Sequence, residues 1–194
     1  MKEIIDEIMK IEGDVKGEVI RSDLEYIRRK EGEEVLKKIE DKLYELGYPL
    51  DFKKISPSGE YKEAYIVSVY VLLNELFSWT RDDIFKMGQG SAKISFIIKF
   101  LLKFVEFSRL MEEAPKYWSQ HLNFGSIELE GNEKEKWVVI RIRGYKFHPL
   151  ACAYQEGYLL AIVQLIVGGN SLKIKEQKCM HNGDPYHEHL ITWE

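Results

Sequence analysis

Up to Asn123 the apolar residues of this chain recur at helical spacing, and beyond it they fall mostly on every second position. The segment MKEIIDEIMKIE places Ile4, Ile5, Ile8 and Met9 on one face, which predicts a short amphipathic helix ending at Gly13. A helix that short must dock on something larger to persist. GDVKGEVI reads as extended, and SDLE has the form of a capping box, predicting a helix from Ser22 to about Arg29. Val35, Leu36, Ile39, Leu43 and Leu46 form the stripe of the next helix, with Gly47 as its stop. Pro49, Pro57 and Gly59 then punctuate a loop. From Lys62 to Trp79 the chain is apolar around its whole circumference, the mark of a central helix. Thr80 and Asp83 form another capping box. The helix they open is expected to reach about Met111, where Phe96, Phe100, Phe104, Phe107 and Met111 make one stripe and Pro115 closes the run.

After Asn123, SIELEG, the turn NEKEK and WVVIRIRGYKF predict a hairpin with Val138, Ile140 and Ile142 on one face and Val139, Arg141 and Arg143 on the other. Pro149 suits the first turn of a nearly all-apolar helix that ends at Gly168 and Gly169. SLKIKEQK and HEHLITW follow as strands around the turn MHNGDPY. The expected fold is α+β, with N-terminal helices packed on a C-terminal antiparallel ββαββ sheet. No repeat or low-complexity run divides the chain, so residues 14 to 194 read as one domain and residues 1 to 13 as a helical extension.

Composition narrows the class. A chain of 194 residues with 45% hydrophobic content can bury a core without staples. A net charge of −4 argues against direct nucleic-acid binding, which needs a basic surplus. Two cysteines and no secretory n-region point to a reduced, cytoplasmic setting. The longest apolar run, LLAIVQLIVGG, is too short and carries a glutamine, so no membrane span is expected.

Chemistry concentrates in the tail. Three of the five histidines and one of the two cysteines lie in KCMHNGDPYHEH, whereas paired CxxC and HxxxH units are absent. Cys152 on the last long helix, with Glu176, Cys179 and His187 around the final hairpin, supplies four ligand-type residues. Strand alternation puts Glu176 and Cys179 on opposite faces, so a bulge between them is required for both to reach one ion. His189 shares a strand face with His187 and is the substitute ligand. The residues alone leave open the alternative of a buried Cys152 and a merely polar hairpin. GQGSAK lacks the spacing of a dinucleotide or phosphate loop, so no nucleotide is expected. Phe100, Phe104 and Phe107, with Trp118, His121 and Tyr145 at the edge, either line an apolar cavity or form ordinary core. No nucleophile stands beside a base, so no catalytic residue is assigned and the chain is expected not to be an enzyme.

CAYQEGY at 152 to 158, the GG turn, E-x-x-C at 176 to 179, Gly183 and a ligand-type residue eight positions after Cys179 together resemble the 4-vinyl-reductase-type domain. That domain is a ligand-binding module related in fold to subunits of the TRAPP vesicle-tethering complex. VKG at 15 to 17, MGQGSAK at 87 to 93 and PKYW at 115 to 118 resemble a myxobacterial paralogue family of the same fold. The resemblance implies a structural zinc ion on Cys152, Glu176, Cys179 and His187, the histidine standing where the family has a third cysteine. It implies a sensor for a small apolar, aromatic or acyl molecule, working as a homodimer through a downstream protein partner. An interaction scaffold without a ligand and a small reductase acting on a ring substrate are the alternatives. A distantly related superfamily, the haem-based nitric oxide sensors, binds haem through a helix histidine and a Tyr-x-Ser-x-Arg pattern. The chain has neither a histidine before residue 121 nor that pattern, so no haem is expected.

Overall fold

The computed structural model describes residues 1–94, 106–169 and 171–194. Helix α1 (Lys2–Lys10) buries Ile5, Ile8 and Met9 in the main core, and the Tyr48 hydroxyl donates to Asp6 Oδ1 at 2.8 Å to fix its polar side. The N-terminal segment is thus packed into the core. Strand β1 (Asp14–Lys16) pairs antiparallel with β2 (Glu60–Lys62). Helix α2 (Gly17–Glu31) begins five residues before the predicted capping box. At Gly17 a Cβ would stand 2.1 Å from the Ser56 carbonyl, so the start of α2 lies where no side chain fits. Ser22 falls inside the helix, its hydroxyl donating back to the Glu18 carbonyl at 3.0 Å instead of capping. Helix α3 (Glu33–Glu45) buries Leu36, Ile39 and Leu43, and Gly47 follows at φ +91°, as expected of a helix stop.

Helix α4 (Glu63–Phe77) is central, with Ile66, Val67, Val69, Leu72 and Leu73 all buried. Thr80 and Asp83 cap α5 (Arg81–Ile94) reciprocally: the Thr80 amide donates to Asp83 Oδ2 at 2.9 Å and the Asp83 amide to Thr80 Oγ1 at 3.2 Å. Phe96, Phe100 and Phe104 lie outside the described residues. Helix α6 (Phe107–His121) contains Pro115 in its interior, so the proline does not end the helix as predicted; the missing N–H leaves one carbonyl without its helical donor and the helix runs on.

Strands β3 (Ser126–Asn132) and β4 (Trp137–Arg143) form the predicted hairpin. Val138, Ile140 and Ile142 are buried, while Arg141 pairs with Glu188 and Arg143 with Glu128 on the other face. Helix α7 (Pro149–Val167) opens with Pro149 in its first turn and ends at Gly168 in the left-handed region. Strands β5 (Lys173–Lys178) and β6 (His187–Thr192) complete an antiparallel sheet of order β3-β4-β6-β5.

By length and composition alone α7 could cross a bilayer, but 56% of its most apolar window is buried inside the protein, where it serves as the core helix. It lies against α5 with almost no space between the two backbones: a Cβ on Gly157 would stand 1.9 Å from the Phe85 carbonyl, and one on Gly88 2.1 Å from the Tyr154 carbonyl. This contact fixes the face that α7 turns toward β5 and β6.

Candidate metal centre

Cys152 is in the first turn of α7 and Glu156 one turn later, so both project from the same face. Opposite them, β6 offers His187 and His189, two residues apart and both fully buried. The β5–β6 register shifts between Glu176 and Lys178. That irregularity falls where alternation would otherwise have turned Glu176 and Cys179 to opposite sides. Cys179 follows the end of β5, and its amide donates to Asp184 Oδ2 at 2.9 Å across the turn, which holds the thiol in place.

The outcome is a cluster of Cys152, Glu176, Cys179 and His187 whose ligand atoms all lie within 4.8 Å of one another. The two sulfurs are 4.0 Å apart, Cys152 Sγ is 3.9 Å from His187 Nδ1, and that nitrogen is 3.7 Å from Glu176 Oε1. With metal–sulfur bonds of about 2.3 Å, a tetrahedron of ligands has sulfur–sulfur edges of roughly 3.8 Å. The cluster is therefore nearly at coordination size, and both cysteines are free thiols. His187 Nε2 lies 2.8 Å from the Tyr145 carbonyl. Donation there places the proton on Nε2 and leaves Nδ1 as the acceptor facing the sulfurs, where the Met180 amide also donates to it at 3.4 Å; the Nε2 contact is the outer-shell arrangement that orients a metal-binding imidazole.

Electrostatics in this corner are strained. Burial, followed by the neighbouring Cys179 and Glu176, pushes the Cys152 thiol far up. A bound cation reverses that preference, because coordination stabilises the thiolate directly. His189 is depressed to about 4 by burial first, then by His187 and Arg81. Among the described residues neither of its ring nitrogens has a hydrogen-bond partner, and Glu176 Oε1 is likewise buried without one. His181 stands beside His187 with ring centroids 6.0 Å apart, and His148 is used to cap α7, its Nδ1 accepting from the Leu150 amide at 3.2 Å.

The other predicted contacts do not assemble into a site. Phe100 and Phe104 lie outside the described residues. Phe107 packs on Trp193 with ring centroids 5.4 Å apart. Trp118 donates to the Phe124 carbonyl at 2.8 Å, Tyr145 donates to Glu63, and His121 joins Glu18 to the Tyr117 carbonyl. None of Phe107, Trp118, His121 and Tyr145 lines either of two recesses found among the described residues. One is a void of about 10 Å³ between Glu18, Ser91, Tyr117, Tyr154 and Tyr158; the other is a surface cleft of about 590 Å³ beside Arg21, Arg28, Phe52 and Lys53. Glu156, which lies beside the cluster and groups with Glu176 and His189, was not among the residues singled out from the sequence. Its signal was an acidic residue one turn after Cys152 in an otherwise apolar helix.

No protein-family model matches the chain, and no curated protein aligns with it. Solved structures do. An H-NOX protein from S. oneidensis in the Fe(II)NO state superposes with a TM-score of 0.67 at 15% identity, covering 92% of this chain and 99% of the other. A substituted Tt H-NOX gives 0.67 at 12% identity, with 92% and 95% covered. An oxygen-binding H-NOX domain related to soluble guanylate cyclases gives 0.65 at 10% identity, again with 92% and 95% covered. Another matched structure concerns haem distortion in the H-NOX family, and a further one haem redox potential under protein-induced porphyrin distortion.

The fold is therefore that of H-NOX domains, and this corrects the resemblance to the 4-vinyl-reductase-type domain, its TRAPP-like arrangement and the myxobacterial paralogue family. The short motifs at 152 to 158 and 176 to 183 carried that resemblance; agreement over 92% of the chain in space outweighs them. The sensor for an apolar molecule and the zinc ion were both implied by that family and fall with it; the convergence of the four donors stands on the geometry alone. The exclusion of haem is also overturned as a family argument, since the fold relatives are themselves haem proteins. The side chains present give that group a direct test. Haem iron needs an axial His, Cys, Met or Tyr. The residues around the larger cleft include none of these, and the smaller void, although tyrosine-lined, holds only about one water. Neither of these two recesses among the described residues fits a porphyrin.

Proposed function

We propose that this chain is a sensor domain built on the H-NOX fold, responding to a transition-metal ion held by Cys152, Glu176, Cys179 and His187. One observation carries the reading: four buried or half-buried donors from α7, β5, the following turn and β6 converge within 4.8 Å. Sulfur and imidazole donors favour borderline-soft first-row ions over magnesium or calcium. Four protein ligands leave little room for reaction at the ion, so its effect is conformational. Occupancy ties the first turn of α7 to the closing hairpin and shifts the population toward the joined state.

The test is titration of the metal-free, fully reduced chain with Co²⁺. The expected result is a sulfur-to-cobalt charge-transfer band that saturates at a fixed stoichiometry and disappears in both Cys152→Ser and Cys179→Ser. Absence of the band with both thiols reduced contradicts the reading. The same sample is offered haem, as the fold relatives require. A stoichiometric Soret band that is insensitive to both cysteine substitutions would give the sensing role to haem instead.

A further inference from the structure

A second group of donors stands directly beside the first. Glu156, Glu176 and His189 also place their ligand atoms within 4.8 Å of one another, and Glu176 belongs to both groups. We infer that this corner holds a second metal ion on Glu156 and His189, with the Glu176 carboxylate shared between the two ions. The inference rests on the metal reading of the first cluster and extends it.

The arrangement is a ladder with two rungs. Helix α7 supplies Cys152 and, one turn on, Glu156; strand β6 supplies His187 and, two residues on, His189. The imidazoles are nearly parallel, 13° apart in plane with centroids 6.5 Å apart. Glu176 pairs directly with His189 across the β5–β6 ladder, so its carboxylate is held between the rungs.

His189 is the independent observation. It has no exposed surface, yet neither ring nitrogen has a hydrogen-bond partner among the described residues. A neutral imidazole buried in this way forfeits the hydrogen bonds it makes in water unless something occupies the site. Nearby His187 is satisfied at Nε2 by a carbonyl, so the difference between the two histidines is local and specific. Glu176 Oε1 is a second buried atom without a hydrogen bond.

The two positions differ in chemistry. The first offers two sulfurs, a nitrogen and an oxygen; the second offers one nitrogen and two carboxylates, a harder set with three protein ligands. Three ligands leave open coordination positions, where water or a small exogenous ligand binds. Arg81, its side chain more than half exposed, pairs with Glu156 at the rim and holds that carboxylate from outside.

The experiment is equilibrium dialysis of the full reduced chain against Co²⁺, with cobalt counted per chain and the sulfur-to-cobalt band recorded. Wild type is expected to hold two equivalents. His189→Ala and, separately, the milder Glu156→Gln are expected to hold one, with the band unchanged in intensity; circular dichroism identifies any variant that fails to fold. One equivalent in wild type, with the band present, overturns the second position and leaves the first. Two equivalents in wild type that persist in both folded variants overturn the assignment to Glu156 and His189. No band and no bound cobalt overturn the parent reading and this inference with it.

Discussion

Two buried polar regions of this protein lie on the same helix and differ in one respect. Around Asp23, the Tyr154 hydroxyl donates to Oδ1 at 2.6 Å and the Tyr70 hydroxyl to Oδ2 at 2.8 Å, so both carboxyl oxygens have partners. Two residues before and two after Tyr154 on α7, Cys152 and Glu156 face a corner where His189 and Glu176 keep buried atoms without hydrogen bonds. Closed networks of the first kind stabilise and specify a core. Unsatisfied polar atoms in a well-packed interior call for a functional explanation. Ser91 and Gln155 also keep buried atoms without hydrogen bonds, so what sets the corner apart is that its unpaired atoms converge with further ligand-type donors, which is why the proposed reading places binding there.

The largest effect is expected at the corner. With the ion at a thousandfold excess over its Kd, binding adds about 4 kcal/mol of stability. Chelation, or Cys179→Ser, is expected to remove that amount, read as a lower thermal midpoint that added Co²⁺ does not restore in the variant. Asp23→Asn, by contrast, should leave metal binding intact.

Gly157→Ala strikes the support common to both regions. Its methyl group would meet the Phe85 carbonyl at 1.9 Å and force α7 from α5. A loss of about 3 kcal/mol is expected from such overpacking. Denaturant midpoints measure it, and metal affinity should fall in the same variant because α7 carries Cys152.

The Asp23 network supplies a pH signature opposite in sign to that of His189 in the corner, whose depressed pKa costs stability as pH falls. Burial raises Asp23 from 3.8 to about 6, against the opposing pull of the Tyr154 and Tyr70 hydroxyls. The folded state therefore holds this proton more tightly than the unfolded chain. Its contribution is complete below pH 3.8, declines as pH rises, and is lost above about 6, a total of about 3 kcal/mol. In Asp23→Asn that part of the slope should vanish from stability curves collected across this window without metal.

The smallest effect concerns the rim. Thr80→Ala removes one half of the α5 capping box and is expected to cost about 1 kcal/mol. Fraying there loosens Arg81, so the second cobalt should bind more weakly while the sulfur-to-cobalt band stays unchanged.

Much of this architecture was legible in the sequence because the signals were local. Thr80 with Asp83, Pro149 and Gly168 mark helix ends through their own backbone chemistry, and alternation set the inward face of β4. Ser22 misled because its capping pattern is also compatible with a helix interior, and the true start at Gly17 depends on contact with distant Ser56. Pro115 misled because helix packing outweighed the lost hydrogen bond. The members of the corner were visible as residue types, while their meeting point was not. It requires the irregularity after Glu176 and the rotation of α7 imposed by its glycine contact with α5, both of which arise only from the assembled fold. The family resemblance failed for a related reason: short motifs reflect ligand chemistry, whereas the fold is a property of the whole chain.

X-ray absorption at the metal edge of cobalt-loaded protein tests the central claim most directly. At one equivalent of cobalt per chain, the account predicts two sulfur scatterers per ion at about 2.3 Å, lost when Cys152 and Cys179 are both replaced by serine. A shell of nitrogen and oxygen alone in the wild-type protein would contradict it.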